Sequence, residues 1–131
     1  GRGLVLITKP IDTLKVKGVF HMDQGYYYFR NFGNRLILGG ARNFDKEAES
    51  TTEFGVNDKI TTKLEETLKT DLLPDTSYDI DYYWSGIMAF GDHKEPVMLK
   101  HSENVYAGFR LGGMGVAIGT EIGENLADMM V

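Results

Sequence analysis

Two strand-like runs, Gly25–Phe32 and Arg35–Gly40, are separated only by Gly33 and Asn34. Gly-Asn supplies the positive φ angles of a tight primed turn, so the pair predicts a β-hairpin and commits the chain to a sheet. Other strands fit around it. Leu4–Thr8 is a branched apolar run that stops before Lys9 and Pro10 and reads as a buried strand, and Val19–Met22 is a second short candidate. Tyr78–Met88 predicts a long strand with Tyr78, Ile80 and Tyr82 on one face and Asp79, Asp81 and Tyr83 on the other. Pro96–Leu99 and Val105–Phe109 are two more short strands.

Helices are signalled in two places. Asn57 or Asp58 caps a segment in which Ile60, Leu64, Leu68 and Leu72 recur every four residues, and Pro74 stops it. The stripe is narrow, with Lys63, Glu65, Glu66 and Lys69 on the other faces, so this helix is expected to lie on a sheet with its back in water. The last segment, Met114–Met130, is helical in pattern and follows a glycine cluster at Gly112, Gly113 and Gly115. Ile118, Ile122 and Leu126 form an apolar row beside a row of small residues, Gly119, Gly123 and Ala127. Each glycine inside a helix costs about 1 kcal/mol relative to alanine, so the small row predicts close backbone packing and a largely enclosed helix. Between Gly40 and the first helix, Arg42–Glu53 is polar and without period, which predicts a loop or mobile excursion.

Composition narrows the function. Fourteen Lys and Arg against 19 Asp and Glu give a net charge of −5, and no basic cluster exists to release counterions from phosphates, which argues against nucleic acid as a partner. The longest apolar run, Leu4–Ile7, is far short of the roughly 20 residues of a membrane helix. Cysteine is absent, which removes disulfides, zinc-thiolate sites and thiol nucleophiles. Its 131 residues suffice for one folded unit. There is no initiator Met, and Gly1-Arg2-Gly3 leads straight into the first strand, so the chain reads as a fragment or processed piece; a tag remnant is the alternative.

Catalytic templates mostly fail. His21, His93 and His101 have no ligand-like spacing, so no metal site is expected, and no G-x-S-x-G elbow is present. Asp79 and Asp81 read more simply as a solvated face than as an acid/base pair. What remains is the strand, glycine turn and helix of Val105–Met130. Glycines let a backbone approach a ligand, and a helix N-terminus favours an anion or electron-rich oxygen. A dinucleotide fingerprint starts at Gly113 and Gly115 but meets Ile118 where its third glycine belongs, so this is not the opening of a Rossmann domain. Arg110, just before the turn, has the planar geometry that holds a carboxylate. The aromatic set Tyr26, Tyr27, Tyr28, Phe29, Tyr82, Tyr83 and Trp84 is dense enough both to fill a core and to line a pocket.

Four pieces in order carry a resemblance: Arg2-Gly3-Leu4 with Thr8; the hairpin ending Arg35-Leu36-Ile37-Leu38-Gly39-Gly40; Trp84-Ser85-Gly86; and Phe109-Arg110 with Gly112–Gly115 before the last helix. Together they resemble the C-terminal part of the FAD-dependent D-amino acid oxidase-like family, the glycine and sarcosine oxidase type. The family often has an Arg and Pro after the Trp-Ser-Gly piece, where this chain has Met88 and Ala89. The resemblance implies an α+β fold. Residues 1–103 would form a mixed, mainly antiparallel substrate-domain sheet with one packed helix, and residues 104–131 a strand, glycine turn and helix completing an FAD-binding domain. It implies FAD as cofactor of the intact protein, with Gly112, Gly113, Met114 and Gly115 beside the flavin. It implies Arg110 near a substrate carboxylate, with Tyr27 or Tyr28 and Trp84 lining the pocket. Its partners would be an amine or amino acid substrate and the N-terminal FAD-binding region of the same protein, and the expected location is cytoplasmic. The competing reading is a non-enzymatic α+β domain that binds a ligand or self-associates into a homo-oligomer.

Overall fold

The computed structural model describes residues 1–130, which fall into two compact units, Arg2–Ile87 and Gly1 with the residues from Met88 onward. The first unit is a five-stranded sheet with a helix. Its strands are β1 (Arg2–Thr8), β2 (Val19–Met22), β3 (Tyr27–Phe32), β4 (Arg35–Gly40) and β5 (Ile80–Ile87), in the order β2-β3-β4-β1-β5. Every neighbouring pair is antiparallel. The hairpin forms as the sequence predicts, with Phe32 opposite Arg35 across Gly33 and Asn34.

Helix α1 (Asp58–Thr67) starts at Asn57, whose side-chain oxygen accepts the Lys59 N–H. Ile60, Leu64 and Leu68 pack with Leu4, Leu6, Leu36 and Leu38 into the core of the unit. Leu72, the fourth member of the expected row, is only partly buried at the edge of that core. A π-helical turn spans Leu68–Leu72, the Leu73 N–H bonds to the Leu68 carbonyl at 2.8 Å, and Leu73 takes the buried place. Widening the last turn moves the next inward position from the fourth to the fifth residue.

Strand β5 differs from the simple alternation. Ile80 faces Thr8 and Tyr82 faces Ile7, so Asp81 is an extra residue, a β-bulge. The bulge resets the phase: Ile80 and Tyr83 both pack on the core, and Tyr82 faces away. Tyr83 then donates its hydroxyl to Glu65 of α1 at 2.5 Å, while the Arg35 guanidinium bonds the Thr8 carbonyl at 2.7 Å and pairs with Asp81.

Of the two alternatives for the 42–53 stretch, the structure takes the loop, built of turns. A short 3-10 turn (Arg42–Asp45) and further turns deliver Glu49 into the interior, where its carboxylate takes two hydrogen bonds from Arg2, at 3.0 and 2.8 Å. The Asn57 amide donates to the same carboxylate at 2.8 Å and to Asp45 at 3.2 Å. One cap residue therefore ties the loop, the helix start and β1 together. Hydrogen bonds from Arg2 hold the Glu49 carboxyl below the usual range against the opposing effect of burial.

In the second unit, β6 (Val97–Ser102) and β7 (Val105–Phe109) form an antiparallel hairpin, followed by α2 (Gly115–Asp128). Ile122 and Leu126 pack on β7 at Gly108, where an added Cβ would lie 2.7 Å from Ile122 and 2.8 Å from Leu126. The enclosed helix expected from the sequence is realised on this row alone. Gly123, Ala127 and Val116 are exposed, and a Cβ at Gly119 or Gly123 would meet nothing within 4 Å. A two-stranded sheet has only enough surface to cover one stripe of a helix.

Candidate functional site

The sheet of the first unit separates residues that are adjacent in sequence. Side chains alternate along a strand, so Tyr27 and Tyr28 point to opposite faces. Tyr27 lies in the α1-covered core, where burial raises its phenol pKa and its hydroxyl meets Thr67. Tyr28 lies on the other face. The expectation that either tyrosine lines a pocket thus narrows to Tyr28, because the opposite face is filled by the helix.

Register places Tyr28 in a row across the sheet. His21 pairs with Tyr28, Tyr28 with Gly39, Gly39 with Val5, and Val5 with Trp84. The Tyr28 ring lies directly on Gly39, since a Cβ there would fall 2.5 Å from the ring and hydroxyl. The Tyr28 hydroxyl makes no hydrogen bond among the described residues, and desolvation pushes its pKa up, so it remains a neutral O–H donor. On the far side of the row, Trp84 packs against Tyr82 with ring centroids 5.5 Å apart at 42°. Val5 and Ile7, both buried, form the floor between these aromatic groups. Tyr28, Tyr82 and Trp84 were legible as members of the aromatic set; the places of Val5 and Gly39 beside them were not, because they depend on cross-strand register.

The second unit assembles the other candidates. Arg110 sits at the end of β7 with φ of 62°, and Gly112 and Gly113 follow at 56° and 86°. The left-handed region is costly for a residue with a side chain, so Arg110 is held there by its surroundings. Its Nε and Nη2 donate to the Glu95 carbonyl at 3.1 and 2.8 Å. The Met114 N–H closes the turn on the Leu111 carbonyl at 2.8 Å, and the Met114 carbonyl accepts from Ala117 and Ile118. The N–H groups of Gly115 and Val116, ahead of these, have no intrahelical acceptor and point out of the α2 N-terminus. A Cβ at Gly112 would meet nothing within 4 Å. This turn therefore offers open space at Gly112 and the positive end of a helix, which fits the electron-rich edge of a flavin. It offers contact only, since no pyrophosphate-binding glycine fingerprint is present in the sequence.

No His, Asp or Glu cluster suited to a metal occurs among the described residues, and no helix among them is long and apolar enough to cross a membrane.

Comparison with known proteins places these features in context. The sequence profile of the family described as FAD dependent oxidoreductase (DAO) matches residues 1–129. Among solved structures, the chain is similar to glycine oxidase from Bacillus cereus ATCC 14579, with a TM-score of 0.72 and 20% identity. The similarity covers 98% of this chain and 35% of that one, so the chain spans about a third of the length of that enzyme. A search of curated proteins gives no match.

Proposed function

The chain belongs to the FAD dependent oxidoreductase (DAO) family, and from that premise we propose that it is the C-terminal, substrate-domain part of an enzyme that oxidises the C–N bond of an amino acid or related amine. The observation that carries this reading is the turn from Arg110 to Gly115. It combines a guanidinium, two glycines at positive φ and a helix N-terminus without a side-chain cap within six residues. Bound FAD would accept the hydride in such an oxidation. The residues of this chain have other tasks. Gly112, Gly113, Met114 and Gly115 would lie beside the flavin and turn toward it the positive end of the α2 dipole with the free Gly115 N–H, the Met114 N–H being taken by the Leu111 carbonyl. Arg110 takes the substrate carboxylate. Within the first unit, Tyr28 and Trp84 are the candidates for a substrate-facing wall, and the Tyr28 hydroxyl is available there as a hydrogen-bond donor. Tyr27 supports that wall from the core side of β3.

On this reading the pyrophosphate of FAD is held by the N-terminal region of the same protein, so the chain by itself binds FAD weakly. Titration of the chain and of the full-length protein with FAD tests this. Tight stoichiometric binding by the chain alone would overturn the division of labour. In the full-length enzyme, Arg110→Ala should raise KM for a carboxylate-bearing substrate, and an unchanged KM would remove Arg110 from the site.

A further inference from the structure

The Arg110 guanidinium is more constrained than a strand-end arginine needs to be. Two of its nitrogens converge on one acceptor, the Glu95 carbonyl. Its flat side lies against Gly91, where an added Cβ would fall 2.7 Å from both Cδ and Nη1 and 3.0 Å from Cζ. Gly91 is not in the left-handed region, so its backbone conformation does not require glycine. What requires glycine is the space taken by the guanidinium. The residue after Glu95 is Pro96, which restricts Glu95 to extended conformations and so limits the directions its carbonyl can take. Nη1 has no hydrogen-bond partner among the described residues, and with the second proton of Nη2 it forms the pair of donors that suits a two-oxygen anion.

We propose that Gly91 and the Glu95 carbonyl, set by Pro96, are positioning residues that hold Arg110 as a preformed carboxylate fork. The inference rests on the reading that Arg110 meets the substrate carboxylate. It adds that the loop of residues 91–96 sets how well Arg110 does so. A fork already aligned loses little side-chain entropy on binding, whereas a free arginine must be ordered by the ligand.

The test uses the full-length protein with FAD bound and the variants Gly91→Ala, Pro96→Ala and Arg110→Ala. Three quantities are read: acetate binding, followed by titration calorimetry; KM and kcat for an amino acid and for the amine lacking its carboxylate; and the melting temperature. The displaced atoms are the end of a flexible side chain, so Gly91→Ala should leave the melting temperature unchanged. It should weaken acetate binding and raise KM for the amino acid about tenfold, the scale of a charge-assisted hydrogen bond, with kcat and the KM for the amine unchanged. Pro96→Ala should weaken acetate binding by a smaller factor, about threefold on the same scale. If Arg110→Ala abolishes acetate binding while Gly91→Ala and Pro96→Ala bind it as the parent does, the positioning role is overturned. If Arg110→Ala also binds acetate as the parent does, it is the reading of Arg110 itself that fails.

Discussion

The two units solve the burial problem differently. Of the buried apolar residues described, all but Ile122 lie in Arg2–Ile87, where a helix closes one face of a five-stranded sheet. The second unit sets α2, which is longer than α1, on a two-stranded sheet and buries one large side chain among the described residues. A long helix on a small sheet leaves apolar surface that its own unit has no means of covering. The first unit thus resembles a domain core, and the second a piece organised around its turn.

The contrast between the two units is most exposed to substitution at glycines and leucines. Gly40→Ala should have the largest effect, about 4 kcal/mol or loss of folding. The residue has φ of 124° and its Cβ would lie 2.0 Å from the Tyr26 carbonyl oxygen, an obstruction made of backbone. Urea denaturation followed by circular dichroism measures it. Leu64→Ala should cost about 3 to 4 kcal/mol and Ile122→Ala about 2 kcal/mol, the low end for such truncations, because fewer atoms surround Ile122. Equal costs in the two units would refute the contrast.

Glu49→Ala should cost about 3 kcal/mol, since it removes the charged acceptor of two Arg2 hydrogen bonds and of one from the Asn57 amide. The pH dependence has a definite sign. The folded-state pKa of Glu49 is depressed, so its stabilisation is complete above the unfolded-state pKa and lost as pH falls through the folded value. Glu49→Gln should therefore flatten the acid side of the stability profile, and a profile unchanged by that substitution would show that Arg2 does not hold the charge. The smallest effect should have the opposite sign. Gly119→Ala, in a helix with open space at the new methyl, should stabilise the chain by about 1 kcal/mol. In the full-length protein a neighbour packed on that row would reverse the sign, and thermal melts of both forms read the difference.

What the sequence disclosed follows from the range of the interactions involved. β1, the β3–β4 hairpin and the start of α1 are written in local pattern: branched apolar runs, Gly-Asn between strands, Asn57 before a four-residue stripe. The ordered 42–53 stretch was not legible, because its organiser Glu49 finds Arg2 only 47 positions away. Leu73 in place of Leu72 and Tyr83 in place of Tyr82 were missed for a shared reason. One inserted backbone hydrogen-bond irregularity shifts a period without leaving a mark in composition. In the candidate site, Arg110 and the glycine turn stood out as residue types, whereas Gly91 in its loop gave no signal apart from being glycine.

The bulge at Asp81 has a consequence for how β5 can change over time. It works as a slip joint: residues before it and residues after it keep their faces independently. A one-residue gain or loss near Asp81 can be absorbed there by making or removing the bulge, while Tyr82, Trp84 and Gly86 stay paired with Ile7, Val5 and Gly3. The same change placed after Tyr82 has no such joint and would turn Trp84 into the core. Variation in length is therefore tolerated on the Arg35 side of the strand, and the aromatic face is fixed in residue count.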